Sequence, residues 1–174
     1  MFEHWGEFYL LAGSAAAVLI GLIFVVVTLM SDRPRSSVLY GSKLYMGPIV
    51  LQVSFVLVLS AAALTPGIGA REYALIAAAV AAWGLARGVM SIVGIGRMAG
   101  ADLPHWTDIW FYGVAPTVLY AALAGVAWAF CMDWPCAPYA LAAVITGLIL
   151  ISVRNEWDLV TWLAPRADEK INED

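Results

Sequence analysis

The chain is poor in charged residues. Only 13% of its 174 residues are Asp, Glu, Lys or Arg, whereas 63% are hydrophobic. Soluble domains carry about 25% charged residues, so roughly half of the usual solvating charge is missing. This shortage of charge excludes an ordinary soluble domain and indicates an integral membrane protein.

Basic clusters, a cysteine framework and sets of metal ligands are also absent from the sequence. The net charge is −4 and the basic residues are dispersed, so the chain lacks the basic stripe that nucleic acid requires. Two cysteines are too few for a disulfide scaffold. The run from Asp102 to Asp108 contains a single histidine, His105, and does not complete a metal site. The sequence shows no nucleophile paired with a base, so we expect no enzymatic activity. We also expect no metal and no cofactor.

Long apolar runs are what the chain has in abundance. The first, from Phe8 to Met30, contains no charge and exceeds the roughly 20 residues that a helix needs to cross the hydrocarbon. Charged residues, glycines and prolines separate four further runs. We therefore predict an all-α polytopic membrane protein in which a single transmembrane domain, residues 1–174, contains five helices and a charged tail at 166–174. The predicted helices cover about residues 8–30, 44–64, 72–96, 107–131 and 138–163.

The distribution of basic residues predicts the orientation of these helices. Lys and Arg are enriched in the loops on the cytoplasmic side of a membrane. With the N-terminus outside, the outer side holds only Arg71. The inner side then holds Arg33, Arg35, Lys43, Arg97, Arg166 and Lys170. We predict that the N-terminus is out and the C-terminus is in, and that the first helix is retained, since no basic segment precedes it.

Two arginines lie deep within the predicted helices at nearly the same depth. Arg87 and Arg154 are each about fifteen residues from the outer start of their helix, which is roughly 22 Å. Asn155, Glu156 and Asp158 share this layer. Because unpaired charges at this depth cost several kcal/mol, we predict that Arg154 pairs with Asp158 at i, i+4. We also predict that Arg87 pairs with Glu156 or Asp158. The layer is either a structural clamp or a polar, ion-binding vestibule on the inner side.

Small residues recur at a spacing of four in two predicted helices. Gly13, Ala17 and Gly21 fall on one face of the first helix, and Gly84 and Gly88 on one face of the third. Such faces let helices approach closely, which matters because lipid supplies no hydrophobic drive for helix association. Two interpretations stay open: an interface between subunits, and packing within one chain.

Pro116 falls inside the fourth predicted helix. Proline removes a backbone hydrogen bond and kinks a helix, and in membranes neighbouring groups can satisfy the freed carbonyl. The kink is either static or a hinge. Gln52 and Ser54 in the second predicted helix are expected to be buried and to form interhelical hydrogen bonds.

Cys131 and Cys136 flank the short segment Met-Asp-Trp-Pro on the predicted outer side. An oxidising outer compartment permits disulfides, and a turn at Pro135 can bring the two sulfurs together. The sequence leaves open whether the two cysteines are bonded.

Two stretches resemble a group of small bacterial inner-membrane proteins of uncharacterised function. Residues 8–17 and 21–25 are similar to the first helix of these proteins, and residues 154–158 to the end of their last helix. The resemblance implies a multi-pass protein of the bacterial inner membrane. It implies no known activity.

The sequence favours two classes of function. The first is an oligomeric ion channel or transporter-like protein with a charged inner layer. Five helices are barely enough to surround a permeation path, so conduction would need a homo-oligomer around an axis. The second is an accessory or regulatory subunit that packs against another membrane complex. The lipid bilayer is the expected partner in both, together with a small ion in the first and another membrane protein in the second.

Overall fold

A computed structural model describes residues 2, 4–29, 46–97 and 109–163, and this part of the chain is mainly helical, with short turns between the helices. A π-helical segment, Ile109–Val114, leads directly into the fourth α-helix. The five α-helices are α1 Gly6–Leu29, α2 Gly47–Ala63, α3 Ala70–Arg97, α4 Ala115–Cys131 and α5 Ala137–Leu163. The prediction of an all-α chain is confirmed for these residues, and the helices begin and end within a few residues of the predicted bounds.

Four helical stretches are long and apolar enough to cross a membrane. They are Gly6–Thr28, Ala70–Val93, Ile109–Cys131 and Ala137–Thr161. The remaining helix, α2, has 17 residues and is apolar but shorter. These helices support a membrane protein, as the composition predicts. Five of the seven basic residues on which the predicted orientation depends lie outside the described residues: Arg33, Arg35, Lys43, Arg166 and Lys170. The run from Asp102 to Asp108 and the tail at 166–174 also lie outside them.

Consecutive helices pack side by side, α1 against α2 and α3 against α4, while α5 lies against α1, α2 and α4. The centre is filled by large apolar side chains that are fully buried, among them Leu59, Leu123 and Ile145. Outward-facing positions carry exposed apolar residues such as Phe24 and Trp83. Lipid tails can cover such residues without cost, so this pattern is what a bundle in a bilayer needs.

The predicted small-residue faces are used mainly within the chain. A Cβ atom at Gly84 would collide with the ring of Tyr120, and one at Gly88 would collide with the Thr117 hydroxyl. A Cβ at Gly13 would lie 3.3 Å from the Cβ of Ser60 in α2. These glycines therefore set the close approach of α3 to α4 and of α1 to α2.

Ala17 and Gly21 differ from the other small residues of this set. Both are exposed, and nothing lies within 4 Å of a Cβ built at Gly21. Among the described residues of the predicted interface, Ala17 and Gly21 are therefore the ones that remain exposed.

Aromatic side chains join the helices at one end of the bundle, which we call the aromatic end. The ring of Phe2 lies 5.2 Å from Tyr9, 4.9 Å from Tyr73 and 5.7 Å from Phe130, measured between ring centroids. The Tyr73 hydroxyl donates to the Leu59 carbonyl at 3.1 Å. The opposite end contains Arg87 and Arg154, and we call it the arginine end.

Candidate functional site

The helical backbone is interrupted where Pro116 enters α4. Pro116 has no N–H, so it cannot bond the carbonyl of Tyr112, its partner in an α-helix, or that of Phe111, its partner in the π-helical segment. Side chains from other helices take over. Ser91 Oγ in α3 donates to the Tyr112 carbonyl at 3.2 Å, and Asn155 Nδ2 in α5 donates to the Phe111 carbonyl at 3.1 Å. Side chains of α3 and α5 thus satisfy the two carbonyls that Pro116 cannot bond.

Asn155 is held from several directions. Its side chain is almost fully buried, with 2% of the residue exposed. Its Oδ1 accepts a hydrogen bond from Arg154 Nη1 at 3.2 Å, and its main-chain carbonyl accepts one from the Tyr112 hydroxyl at 3.2 Å. The sequence places Asn155 in the polar layer but does not reveal its role as a donor to Phe111. The only signal for that role is Pro116, in a different helix.

Arg154 lies over the start of the π-helical segment. Its guanidinium carbon is 3.7 Å from the centroid of the Phe111 ring, a cation–π arrangement. Its Nη1 is 3.7 Å from Asp158 Oδ2, and both side chains are partly exposed. The predicted pair of Arg154 with Asp158 is confirmed.

The predicted pair of Arg87 with Glu156 or Asp158 was wrong. Arg87 is exposed, and among the described residues it forms an ion pair with neither carboxylate. The reason lies in the packing, because α3 runs along α4 and the π-helical segment rather than along α5. Equal depth in the membrane therefore does not bring Arg87 to these carboxylates.

A small cavity nevertheless brings Arg87 and Asn155 to the same space. It has a volume of about 30 Å³ and lies between α2, α3, α4, the π-helical segment and α5. A polar space of this size can hold about one or two water molecules. The lining residues with polar side chains are Gln52, Arg87, Ser91, Tyr112, Tyr120 and Asn155.

Gln52 of α2 and two residues of α5 form a second set of buried polar side chains. Gln52 Nε2 donates to the Leu148 carbonyl at 2.7 Å, so its predicted interhelical hydrogen bond is confirmed. The same prediction for Ser54 was wrong, because its hydroxyl donates to Val50 within its own helix. Further along α5, Ser152 Oγ and Glu156 Oε1 are buried and have no hydrogen-bond partner among the described residues.

The predicted charged layer therefore divides into two parts, on different faces of α5. Arg87 and Asn155 line the cavity beside Pro116, and Arg154 joins Asn155 to Asp158. Glu156 belongs to the other face, on which Leu159 packs against Val26 of α1 and Met46 next to α2. In the described ranges no three His, Cys, Asp or Glu residues come close enough to hold a metal ion.

The two cysteines lie at the aromatic end, far from either polar group. Cys131 ends α4 and Cys136 immediately precedes α5. Both are free thiols and both are exposed. The disulfide that the sequence left open is not formed in this structure.

Comparisons with protein-family models, with curated protein sequences and with solved structures found no match. The functional proposal therefore rests on the geometry of this chain.

Proposed function

We propose that the protein is a multi-pass protein of the bacterial inner membrane that moves a small ion as a channel or transporter. In this proposal all five helices cross the bilayer, the N-terminus is outside, and the arginine end faces the cytoplasm. The carrying observation is the interruption of α4 at Pro116, where two backbone carbonyls are held by side chains beside a water-sized cavity.

The position of this interruption supports the proposal. Pro116 is seven residues from Ile109, the start of its span, which is roughly 10 Å into the bilayer. At such depth, irregular backbone is tolerated only where it is buried in protein or lines a water-filled cavity. Transporters build their ion sites from discontinuous helices, and π-helical turns are frequent at functional sites. Structural support alone would be served better by an uninterrupted helix.

Conduction is proposed for a homo-oligomer rather than for one subunit. The cavity of about 30 Å³ is a pocket and too small to be a path across the bilayer. Ala17 and Gly21 offer an uncovered small-residue face on α1, and such faces support close helix contacts in membranes. A second copy of the chain can pack on this face.

The exposed face of α1 at Ala17 and Gly21 also favours the second candidate, an accessory subunit of another membrane complex. A helix of a different protein fits against Ala17 and Gly21 as well as a second copy does. The two candidates differ in what purified protein does alone: a channel or transporter moves ions without a partner, whereas an accessory subunit does not.

The test is ion flux through purified protein in liposomes, measured with dyes for Na⁺, K⁺ and H⁺. We expect flux from the wild type and a loss of at least tenfold in Asn155→Leu, which removes the donor to the Phe111 carbonyl. Gly125→Ala is the matched control, because Gly125 is exposed and nothing lies within 4 Å of a Cβ there.

Native mass spectrometry of the same preparation counts the subunits. An assembly of two or more copies with flux supports the proposal. A folded monomer with no flux of any of the three ions contradicts it and favours the accessory subunit.

A further inference from the structure

Ser152 has an unusual environment for a helical hydroxyl. Thr117 and Thr146 each donate to the carbonyl four residues earlier in their helix, at 2.7 and 2.8 Å. For Ser152 that carbonyl belongs to Leu148, and it already accepts from Gln52 Nε2 as well as from the helical N–H of Ser152. Ser152 is fully buried, and its Oγ has no hydrogen-bond partner among the described residues. Gln52 thus leaves the Ser152 hydroxyl available to another group.

Glu156 lies one helical turn beyond Ser152 on the same face. It is 7% exposed, and its Oε1 has no partner in the described part of the chain. Burying a carboxylate without a partner is so costly that such groups are normally paired, neutralised or bound to a cation. A hydroxyl and a carboxylate at i, i+4 are neighbours on a helix, with Cβ atoms about 5–6 Å apart.

No described side chain supplies the missing positive charge. Arg154 is paired with Asp158 and stacked on Phe111, on another face of α5. The described part of α2 contains no charged residue, and the only charged residue of α1 is Glu7, at the aromatic end. In the π-helical segment, the Tyr112 hydroxyl donates to the main-chain carbonyl of Asn155.

We propose that Glu156 and Ser152 form a binding site for a small monovalent cation, H⁺ or Na⁺. Glu156 Oε1 is the charged ligand, Ser152 Oγ is the second oxygen, and Gln52 is a positioning residue that keeps the Ser152 hydroxyl free. Oxygen ligands select hard cations, and one carboxylate neutralises one positive charge, which favours a monovalent ion. The inference rests on the proposed function because the bound cation is taken to be the transported ion. Binding of the cation is measured independently of transport.

Dicyclohexylcarbodiimide tests the site in the full-length protein. This reagent reacts with protonated carboxyl groups in apolar surroundings. The carboxyl oxygen adds to the central carbon, its proton passes to nitrogen, and the adduct rearranges to an N-acylurea that mass spectrometry detects. We expect an adduct on Glu156 and none in Glu156→Gln. Asp158, which is partly exposed and paired, serves as the internal control, and Asp158→Asn should leave the labelling rate unchanged.

Salt and pH distinguish the two cations. If the site takes Na⁺, NaCl slows labelling of Glu156 whereas choline chloride does not, and Ser152→Ala raises the half-protecting Na⁺ concentration at least tenfold. If it takes only H⁺, Na⁺ gives no protection, and Ser152→Ala shifts the pH of half-maximal labelling. Absence of an adduct on Glu156 in folded protein overturns the proposal. So does an adduct whose pH and Na⁺ dependence are both unchanged by Ser152→Ala.

Labelling and flux together separate this inference from the proposed function. An adduct with the expected dependence but no flux in liposomes overturns ion transport and leaves the site. Flux that persists in Glu156→Gln, with no adduct in the wild type, overturns the site and leaves the transport function. Circular dichroism and gel filtration of each variant establish that it is folded, and Ser152→Ala carries the test if Glu156→Gln does not fold.

Discussion

Asn155 joins three parts of the arginine end through a single buried side chain. Its amide nitrogen reaches the Phe111 carbonyl and its amide oxygen accepts from Arg154, while its main-chain carbonyl receives the Tyr112 hydroxyl. In a membrane, an amide that is satisfied in this way stabilises a broken helix without exposing a polar group to lipid. We therefore expect Asn155 to contribute more to the stability of the fold than its neighbours Arg154 and Asp158, which are partly exposed.

We expect Asn155→Leu to lower the free energy of unfolding by about 1–3 kcal/mol, because it leaves the Phe111 carbonyl buried without this donor. Thr161→Val is the control, since the Thr161 hydroxyl is exposed and bonds only carbonyls of its own helix. Its effect should be within about 0.5 kcal/mol. Unfolding in mixed micelles of mild detergent and dodecyl sulfate measures both. Equal effects of the two substitutions would contradict the role assigned to Asn155.

At the scale of the helix, α4 and its π-helical segment show what sequence reasoning can and cannot supply. The position of Pro116 predicts a lost backbone hydrogen bond in the fourth helix, since the chemistry of proline is local. The donors Ser91 and Asn155 could not be predicted, because they depend on which helices touch. The failed pair of Arg87 with Glu156 has the same origin. The helical rise gives the depth of a residue, but only packing between distant segments gives the direction in which it faces.

Restoring the backbone donor should make Asn155 less important. In Pro116→Ala, residue 116 regains an N–H that can bond the carbonyl of Tyr112 or Phe111. We expect Asn155→Leu to cost about 1 kcal/mol less in the Pro116→Ala background than in the wild type, as measured by a double-mutant cycle. Additive effects of the two substitutions would show that Asn155 does not compensate for the proline.

The contact between α3 and α4 should be sensitive to a single methyl group at Gly84. Because a Cβ there meets the ring of Tyr120, which is 4% exposed, we expect Gly84→Ala to destabilise the protein by about 1–3 kcal/mol. Gly125→Ala adds the same methyl group on an open surface of α4 and should be neutral or slightly stabilising. Thermal unfolding in detergent compares the two. A stable Gly84→Ala variant would mean that the helices are not as close as described.

For the whole molecule, composition and apolar runs were enough to predict an all-helical chain and the approximate ends of its helices. Charge depletion and uninterrupted apolar length act on each helix separately, so one sequence reveals them. The arrangement of the helices was not accessible in this way. Gly13, Gly84 and Gly88 indicate close contacts, but only the folded chain shows that Ser60, Tyr120 and Thr117 are what they meet.

The exposed thiols at the aromatic end give a direct measurement of orientation. The chain contains two cysteines, Cys131 and Cys136, and both are free. With the N-terminus outside, a membrane-impermeant maleimide should label spheroplasts and leave inverted vesicles unlabelled. A variant with serine at both positions controls for background, and a permeant maleimide confirms that the thiols are reactive. Labelling of inverted vesicles alone would reverse the proposed orientation.

The break at Pro116 also bears on the order in which the chain enters the membrane. Ser91 is synthesised before α4, whereas Asn155 lies forty-four residues after the Phe111 carbonyl to which it donates. When α4 first leaves the ribosome, this donor has not yet been made, and an unsatisfied carbonyl in lipid costs several kcal/mol. If the chain spans the bilayer as proposed, we therefore expect the fourth helix to be completed only when the fifth arrives, and the two helices to leave the insertion machinery as one unit.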